Sequence, residues 1–290
     1  MSFPQSQPKT IRFYYNQVRA AFKLIYFILI ILSYLITALF FNLTTRQPIQ
    51  RRYKLVQNAN FYAKFMLKAF NVELICKENI PENENSLVIG NHMGFIDIVC
   101  LQALRGSVFI TSLEMKHTPG LGQITDLAGC AYVNRKNRMN IHEELKGVTE
   151  VLKEGFRVVL YPESVASDGE RVLPFKKTLL MSAGLAHKPI RPFVFNFRKV
   201  NGGPVYFWHR DAVCWYGNQS FFPAIWRSLQ LDSVTCEVEF LPLVHPKVED
   251  DRTKVAQHLH AIVSEKFEPF YPTMNEVPKA QESNILSHSV

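Results

Sequence analysis

The sequence predicts an α/β fold, a mostly parallel mixed sheet flanked by helices, preceded by an N-terminal membrane-associated helical hairpin. Three observations carry this expectation. From Val72 onward short apolar runs alternate with helical patterns, as in a layered fold with a largely parallel sheet. Leu24 to Phe41, LIYFILIILSYLITALFF, carries no charge over about 18 residues, close to the minimum for crossing a hydrocarbon core. Gln50 to Phe70 then repeats Leu55, Ala59, Tyr62, Met66 and Ala69 at helical spacing among Arg51, Lys54, Lys64 and Lys68, the composition of a basic amphipathic helix.

The N-terminal run is too long for a signal peptide's apolar region, and no small-residue cleavage site follows it. Lys9, Arg12, Arg19 and Lys23 precede it, and Arg46, Arg51, Arg52 and Lys54 follow. With cations on both sides the positive-inside rule does not orient it, so a single crossing and an excursion into one leaflet are both open. The basic helix after it suits the headgroup plane, or it packs its apolar side on the rest of the chain. Residues 1–71 are thus expected to form a membrane-binding segment, residues 72–274 the α/β domain, and the polar, aperiodic stretch 275–290 a disordered tail.

Within the domain, strands are expected near Val72–Cys76, Leu87–Ile89, Val108–Thr111, Tyr132–Asn134, Val158–Tyr161, Ile190–Phe197 and Glu237–Leu241. Helices are expected at Ile98–Leu104, Leu121–Leu127, Asn140–Lys153, Pro174–Ala186 and Arg252–Phe267. Asn201 to Ser220 is irregular and aromatic (Tyr206, Phe207, Trp208, Trp215, Tyr216), a core or packing surface or, more sharply, a lipid-facing patch.

Lysine and arginine outnumber acids 33 to 25, a formal charge of +8. That excess suits anionic lipid, acidic ligands or nucleic acid alike. The cations sit mostly beside an apolar helix and no basic-aromatic motif accompanies them, so a nucleic-acid partner is not expected. Five scattered cysteines (Cys76, Cys100, Cys130, Cys214, Cys236) show no CxxC pair or metal-ligand spacing. They read as reduced thiols of a domain on the cytoplasmic side of a membrane.

The chemistry concentrates in SLVIGNHMGFID, Ser86 to Asp97. Leu87 to Ile89 reads as a buried strand closed by Gly90 and Asn91, so His92 lands where a strand gives way to a loop. Asp97 follows at the start of an apolar helical run. Five residues along a regular helix is about 500° of rotation, so His92 and Asp97 meet only if a turn intervenes, and Gly94 can supply one. A carboxylate on the imidazole would fix its tautomer and leave the other nitrogen free to take a proton from a hydroxyl.

Two more polar clusters fall at strand ends. GCAYVNR, Gly129 to Arg135, ends a short strand on a cation, with Lys136 and Arg138 following, a set able to hold a phosphate. YPESVASD places Glu163 at a strand end as His92 is placed, on the same rim if the strands are parallel. No GxSxG elbow, Walker loop, GxGxxG or HExxH is present.

In order and spacing, Asn91-His92 with Asp97, Gly129 to Arg135, Pro162-Glu163, and the proline-flanked strand at Pro189 to Pro192 resemble the four motifs of the glycerolipid acyltransferases, the 1-acylglycerol-3-phosphate and lysophospholipid acyltransferases. The resemblance covers roughly Val72 to Phe197. It implies that His92 is the general base for an acceptor hydroxyl and Asp97 its orienting carboxylate. The hydroxyl would attack the thioester carbonyl of acyl-CoA or acyl-carrier protein, backbone amides stabilising the oxyanion. It places Asn91, Arg135, Glu163 and Lys116 on the substrate side, and implies membrane lipids and a lysolipid acceptor as partners, with no metal and no cofactor beyond the acyl donor.

One departure bears on the acceptor. The family's third motif reads EGTR, and here it is Glu163-Ser164-Val165-Ala166, so the guanidinium associated with the acceptor phosphate is missing. Either Lys116, Arg171 or Lys176 compensates and the acceptor is a lysophosphatidate, or the acceptor lacks a phosphate monoester, as a lyso-aminolipid does. SDGERVLPFKKTLL resembles members that carry SDG in place of the arginine-bearing turn. A catalytically inactive lipid-binding homologue is the alternative of a different class, and intact Asn91, His92 and Asp97 speak against it.

Overall fold

The computed structural model describes residues 11–78, 80–134 and 141–272, the first three of these by backbone alone. The expected tail at 275–290, and Arg135 with Lys136 and Arg138, lie outside the described residues.

Helix α1 (Ile11–Thr44) extends the apolar run in both directions, because no glycine or proline interrupts it. The chain turns at Thr45 to Gln47, and Pro48 opens α2 (Pro48–Phe70) in the first turn, where a missing N–H costs nothing. The two helices run antiparallel: Phe27 meets Phe70, Tyr34 meets Tyr62, and the Thr37 hydroxyl donates to Asn58 Oδ1 at 2.9 Å. Val18, Phe22, Ile25, Leu29, Leu32, Ile36, Leu39 and Leu43 are all exposed large hydrophobics. Their alternating spacing of three and four puts them on one continuous stripe of α1, which faces away from the body. The opposite side of α1 is tied down along its length. Arg19 pairs with Asp232 and donates to Gln230 O, Lys23 donates to Leu231 O, and Tyr34 donates to Ile124 O. The basic helix takes the packing alternative: Leu55, Val56, Ala63, Ala69 and Phe70 of α2 are buried, while Lys54, Lys64 and Lys68 stay exposed.

The elements that follow are β1 (Val72–Lys77), β2 (Leu87–Gly90), α3 (Phe95–Leu104), β3 (Val108–Ser112), α4 (Leu113–Lys116), α5 (Leu121–Leu127), β4 (Ala131–Val133), α6 (Ile141–Lys153) and β5 (Val158–Leu160). They continue with α7 (Ser182–Leu185), β6 (Ile190–Val200), α8 (Arg210–Val213), α9 (Phe221–Leu229), β7 (Val234–Phe240) and α10 (Arg252–Lys266). The strands form one seven-stranded sheet, ordered β1-β7-β6-β2-β5-β3-β4. Every neighbouring pair is parallel except β6 with β7. The C-terminal ends of β2, β5 and β3 therefore share one rim, where open α/β sheets place their ligands.

Alternation along the strands covers the sheet on both faces. Val88, Val159, Phe193, Phe195 and Phe197 point into one core with Ile96 and Leu101 of α3 and Ile225 and Leu229 of α9. Leu87, Ile89, Val158, Leu160, Ile190 and Val194 point into the other with Val151 and Leu152 of α6 and Leu259 and Val263 of α10.

The expected helix at Pro174–Ala186 is corrected. Only a 3₁₀ turn at Leu179–Met181 and the short α7 form there. The Lys176 amide donates at 2.8 Å to Pro162 O, in the loop after β5, and so is spent outside any helix. Helix α9 was not expected, although its signal is legible: Ala224, Ile225, Ser228 and Leu229 form its buried side, with Pro223 in its first turn. Strand β7 begins at Val234 rather than Glu237, its first residues pairing with Val72 to Leu74 of β1.

Candidate active site

The loop leaving β2 is built by its own side chains. Asn91 is fully buried; its Nδ2 donates to Phe195 O and its Oδ1 accepts from Phe195 N, both at 2.8 Å. Its carboxamide thus acts as a piece of strand, pinning the loop to β6. Both of these bonds go to backbone, so Asn91 holds the loop in place. Gly94 then turns the chain at φ 153°, and a Cβ there would lie 2.7 Å from the Trp215 amide nitrogen, so no other residue fits without moving that segment. The Trp215 amide donates to Met93 O at 2.8 Å, clamping the loop from the opposite side.

This turn brings His92 and Asp97 together. His92 Nδ1 lies 3.0 Å from Asp97 Oδ1 and 3.1 Å from Oδ2. Asp97, in the first turn of α3 and 1% exposed, also accepts from the Met93 amide (2.6 Å), the Gly94 amide (2.9 Å) and the Tyr161 hydroxyl (2.8 Å). Three donors besides the ring already converge on this carboxyl, so it serves as the acceptor and Nδ1 carries the hydrogen between them. In the neutral ring Nε2 then carries the lone pair. The helix N-terminus adds its own favourable field for negative charge. The His92 ring stacks on Tyr161, with centroids 4.1 Å apart and planes at 19°; its side chain is 18% exposed, so the base is sheltered yet open to a ligand.

Glu163 sits behind this pair, as the parallel pairing of β2 with β5 requires. Its Oε1 accepts the His92 backbone N–H at 3.1 Å, and Ser167 N donates to His92 O at 2.7 Å, so the backbone of His92 is gripped at both ends. Glu163 Oε2 and Ser167 Oγ are buried and make no hydrogen bond of normal geometry. Burial pushes the Glu163 carboxyl up to about 8, with Asp97 adding to the rise, against the downward pull of the His92 and Leu173 amides.

That shift makes a stability prediction. The unfolded chain ionises Glu163 near 4.5 and the folded protein only near 8, so between these values the unfolded state binds fewer protons and stability falls as pH rises. Glu163→Gln removes the titration while keeping an acceptor for the His92 amide. The variant is expected to hold its thermal midpoint between pH 5 and 8, gaining on the parent by up to a few kcal/mol at the upper end. Midpoints that fall in parallel for both proteins would rule this out.

Of the other expected residues, Lys116 ends α4 just beyond β3, on the same rim, but its side chain is exposed and lies over the Tyr132 ring at 4.8 Å, not against His92 or Glu163. Arg171 and Lys176 are exposed. Ser164 turns the chain at φ 68° and Val165 is 60% exposed, while the half-buried Ala166 stands where the family's third motif has its arginine. Tyr161, Ser167 and the Met93 and Gly94 amides join the site without being expected from the sequence, where a strand-end tyrosine two residues before Glu163 is the local signal.

With an imidazole–carboxylate pair at the C-terminal end of β2 and a second carboxyl at the end of β5, residues 71–196 match the sequence model of the acyltransferase family. The α/β part of the chain is thus similar to that family. Over 207 residues, 70% of this chain and 79% of the relative, the chain is 28% identical to a 1-acyl-sn-glycerol-3-phosphate acyltransferase of Neisseria gonorrhoeae. It is 27% identical over 205 residues (68% and 77%) to a lyso-ornithine lipid O-acyltransferase of Brucella abortus. Its fold is that of the crystal structure of PlsC, the 1-acyl-sn-glycerophosphate acyltransferase of Thermotoga maritima, with a TM-score of 0.64 and 18% identity over 88% of this chain and 95% of that one.

Proposed function

We propose that this protein moves a fatty acyl group from acyl-CoA or acyl-carrier protein to the free hydroxyl of a lysolipid at a membrane surface, with His92 as the general base. The observation that carries this reading is the His92–Asp97 contact. With Nδ1 held by a buried, four-fold hydrogen-bonded carboxyl, Nε2 accepts the hydroxyl proton as the oxygen attacks the thioester carbonyl. When the tetrahedral adduct collapses, the C–S bond breaks and the imidazolium returns that proton to the departing sulfur.

Membrane placement is supported by α1, the one helix among the described residues long and apolar enough to cross a bilayer. Its ties to the body at Arg19, Lys23 and Tyr34 span about 22 Å of axis. A helix fastened along that length does not stand free of the domain, so lengthwise embedding in one leaflet fits better than a crossing. Edge-on contacts from Phe27 to Phe70, and a tilted one from Phe70 to Phe95, connect α1 through α2 to the first residue of α3. The base is thereby kept close to the lipid, on the cytoplasmic side if the free thiols reflect the compartment.

For the acceptor, two readings stand. A 1-acylglycerol-3-phosphate would need a cation from Lys116, or from the Arg135 segment. An acceptor without a phosphate monoester, such as a lyso-aminolipid, is favoured by Ala166 in place of arginine. The test is mass spectrometry of products from lysophosphatidate, larger-headgroup lysophospholipids and a lyso-aminolipid, each with acyl-CoA and with acyl-carrier protein. Efficient use of lysophosphatidate alone would end the second reading, and no acylated product from any pair would end both.

A further inference from the structure

The dyad has a third member on another strand. Tyr161, the residue after β5, touches both halves of it: the ring lies flat on His92 at 4.1 Å and the hydroxyl donates to Asp97 Oδ1 at 2.8 Å. The side chain is 5% exposed and is boxed in by Phe109 and Phe193, so its rotamer is set by the core and not by the loop. Phenylalanine would fill the same space; only the hydroxyl needs Asp97.

We propose that Tyr161 is a positioning residue for acyl transfer, fixing the plane of the His92 ring by stacking and drawing charge from Asp97 through its hydroxyl. The proposal rests on His92 being the base. The physical argument concerns how one carboxylate divides its charge. Each donor to Asp97 takes part of the negative charge that would otherwise hold a proton on the imidazole. The Met93 and Gly94 amides contact Oδ2, whereas Tyr161 acts on Oδ1, the oxygen nearer to Nδ1. Removing that hydroxyl hands charge back to the imidazolium and makes His92 easier to protonate.

Among the described residues, the titratable groups around the dyad are Asp97 and Cys100 on α3, Tyr161 and Glu163 after β5, Cys214 before α9 and Cys236 on β7, with Asp168, Asp211 and Arg210 also acting on Cys214. Burial raises Tyr161, Cys214 and Cys236 well above their ordinary values, so these three stay neutral through the working range and Tyr161 stays a donor. Glu163, pushed up to about 8, is the one neighbour that could mimic a shift of His92.

The experiment is the pH profile of kcat/KM for acyl transfer by Tyr161→Phe, Tyr161→Leu and the parent, repeated in a Glu163→Gln background. His92→Ala serves as the control for the base itself. Tyr161→Phe is expected to fold as the parent does, to move the acid limb upward by about one pH unit, and to do so in both backgrounds. Tyr161→Leu, which also loses the stack, is expected to show the same shift with a lower kcat at every pH. Profiles of Tyr161→Phe that superimpose on the parent's, shift downward, or shift only when Glu163 is present would overturn the proposal. Should His92→Ala keep its activity, the base assignment fails instead, and the two failures are told apart.

Discussion

Replacing His92 with alanine is expected to lower acyl transfer by roughly 10²- to 10⁴-fold, the range that loss of a positioned base costs, while leaving the fold intact. The side chain is partly exposed and, among the described residues, its hydrogen bonding is from Nδ1 to Asp97. What holds the loop is backbone: the His92 amide on Glu163, its carbonyl on Ser167, and the Asn91 clamp on Phe195. None of these involves the imidazole, so a thermal melt in detergent should shift by only a few degrees. Product formation within a few-fold of the parent would remove His92 from the chemistry and leave the rim without a base.

Asp97 should behave in the opposite way, with stability and activity falling together. Its carboxyl closes the first turn of α3 and answers the Met93 and Gly94 amides and the Tyr161 hydroxyl in a site from which water is excluded. Asp97→Ala leaves three buried donors unpaired at about 1–3 kcal/mol each. A loss on the order of 3–5 kcal/mol is expected, lowering the melting temperature by about 10 °C or more in a chain of this size. Asp97→Asn keeps the volume and one acceptor oxygen. It should melt closer to the parent, but its NH₂ cannot accept from Nδ1–H and so favours the other ring tautomer, with activity down by on the order of 10²-fold or more. An asparagine variant as active as the parent would mean that the carboxylate does not orient the base.

These expectations show where the sequence sufficed. The apolar runs at Leu87–Ile89, Val158–Leu160 and Ile190–Val200 announce strands because burial on both faces requires continuous apolar residues. The long α1 and the helices near Leu121, Asn140 and Arg252 are legible because period and length suffice for them. The segment at 174–178 forms no helix because the Lys176 amide serves the loop after β5, a partner that no local window contains. Helix α9 is hard to see in the sequence because it follows an aromatic, aperiodic stretch that masks its start.

By itself the sequence determined that an imidazole would stand at the end of a buried strand, that a carboxylate would open the next helix, and that an apolar helix would precede both. Local composition and spacing fix such things. Only the tertiary structure decided that the two side chains touch, because contact depends on a turn whose glycine is pressed against Trp215, far along the chain. It likewise decided that Tyr161 and Glu163 meet the pair from behind, and that Asn91 is bonded to Phe195. Strand order and register bring these groups within 3 Å or so, and neither can be read from the residues between them.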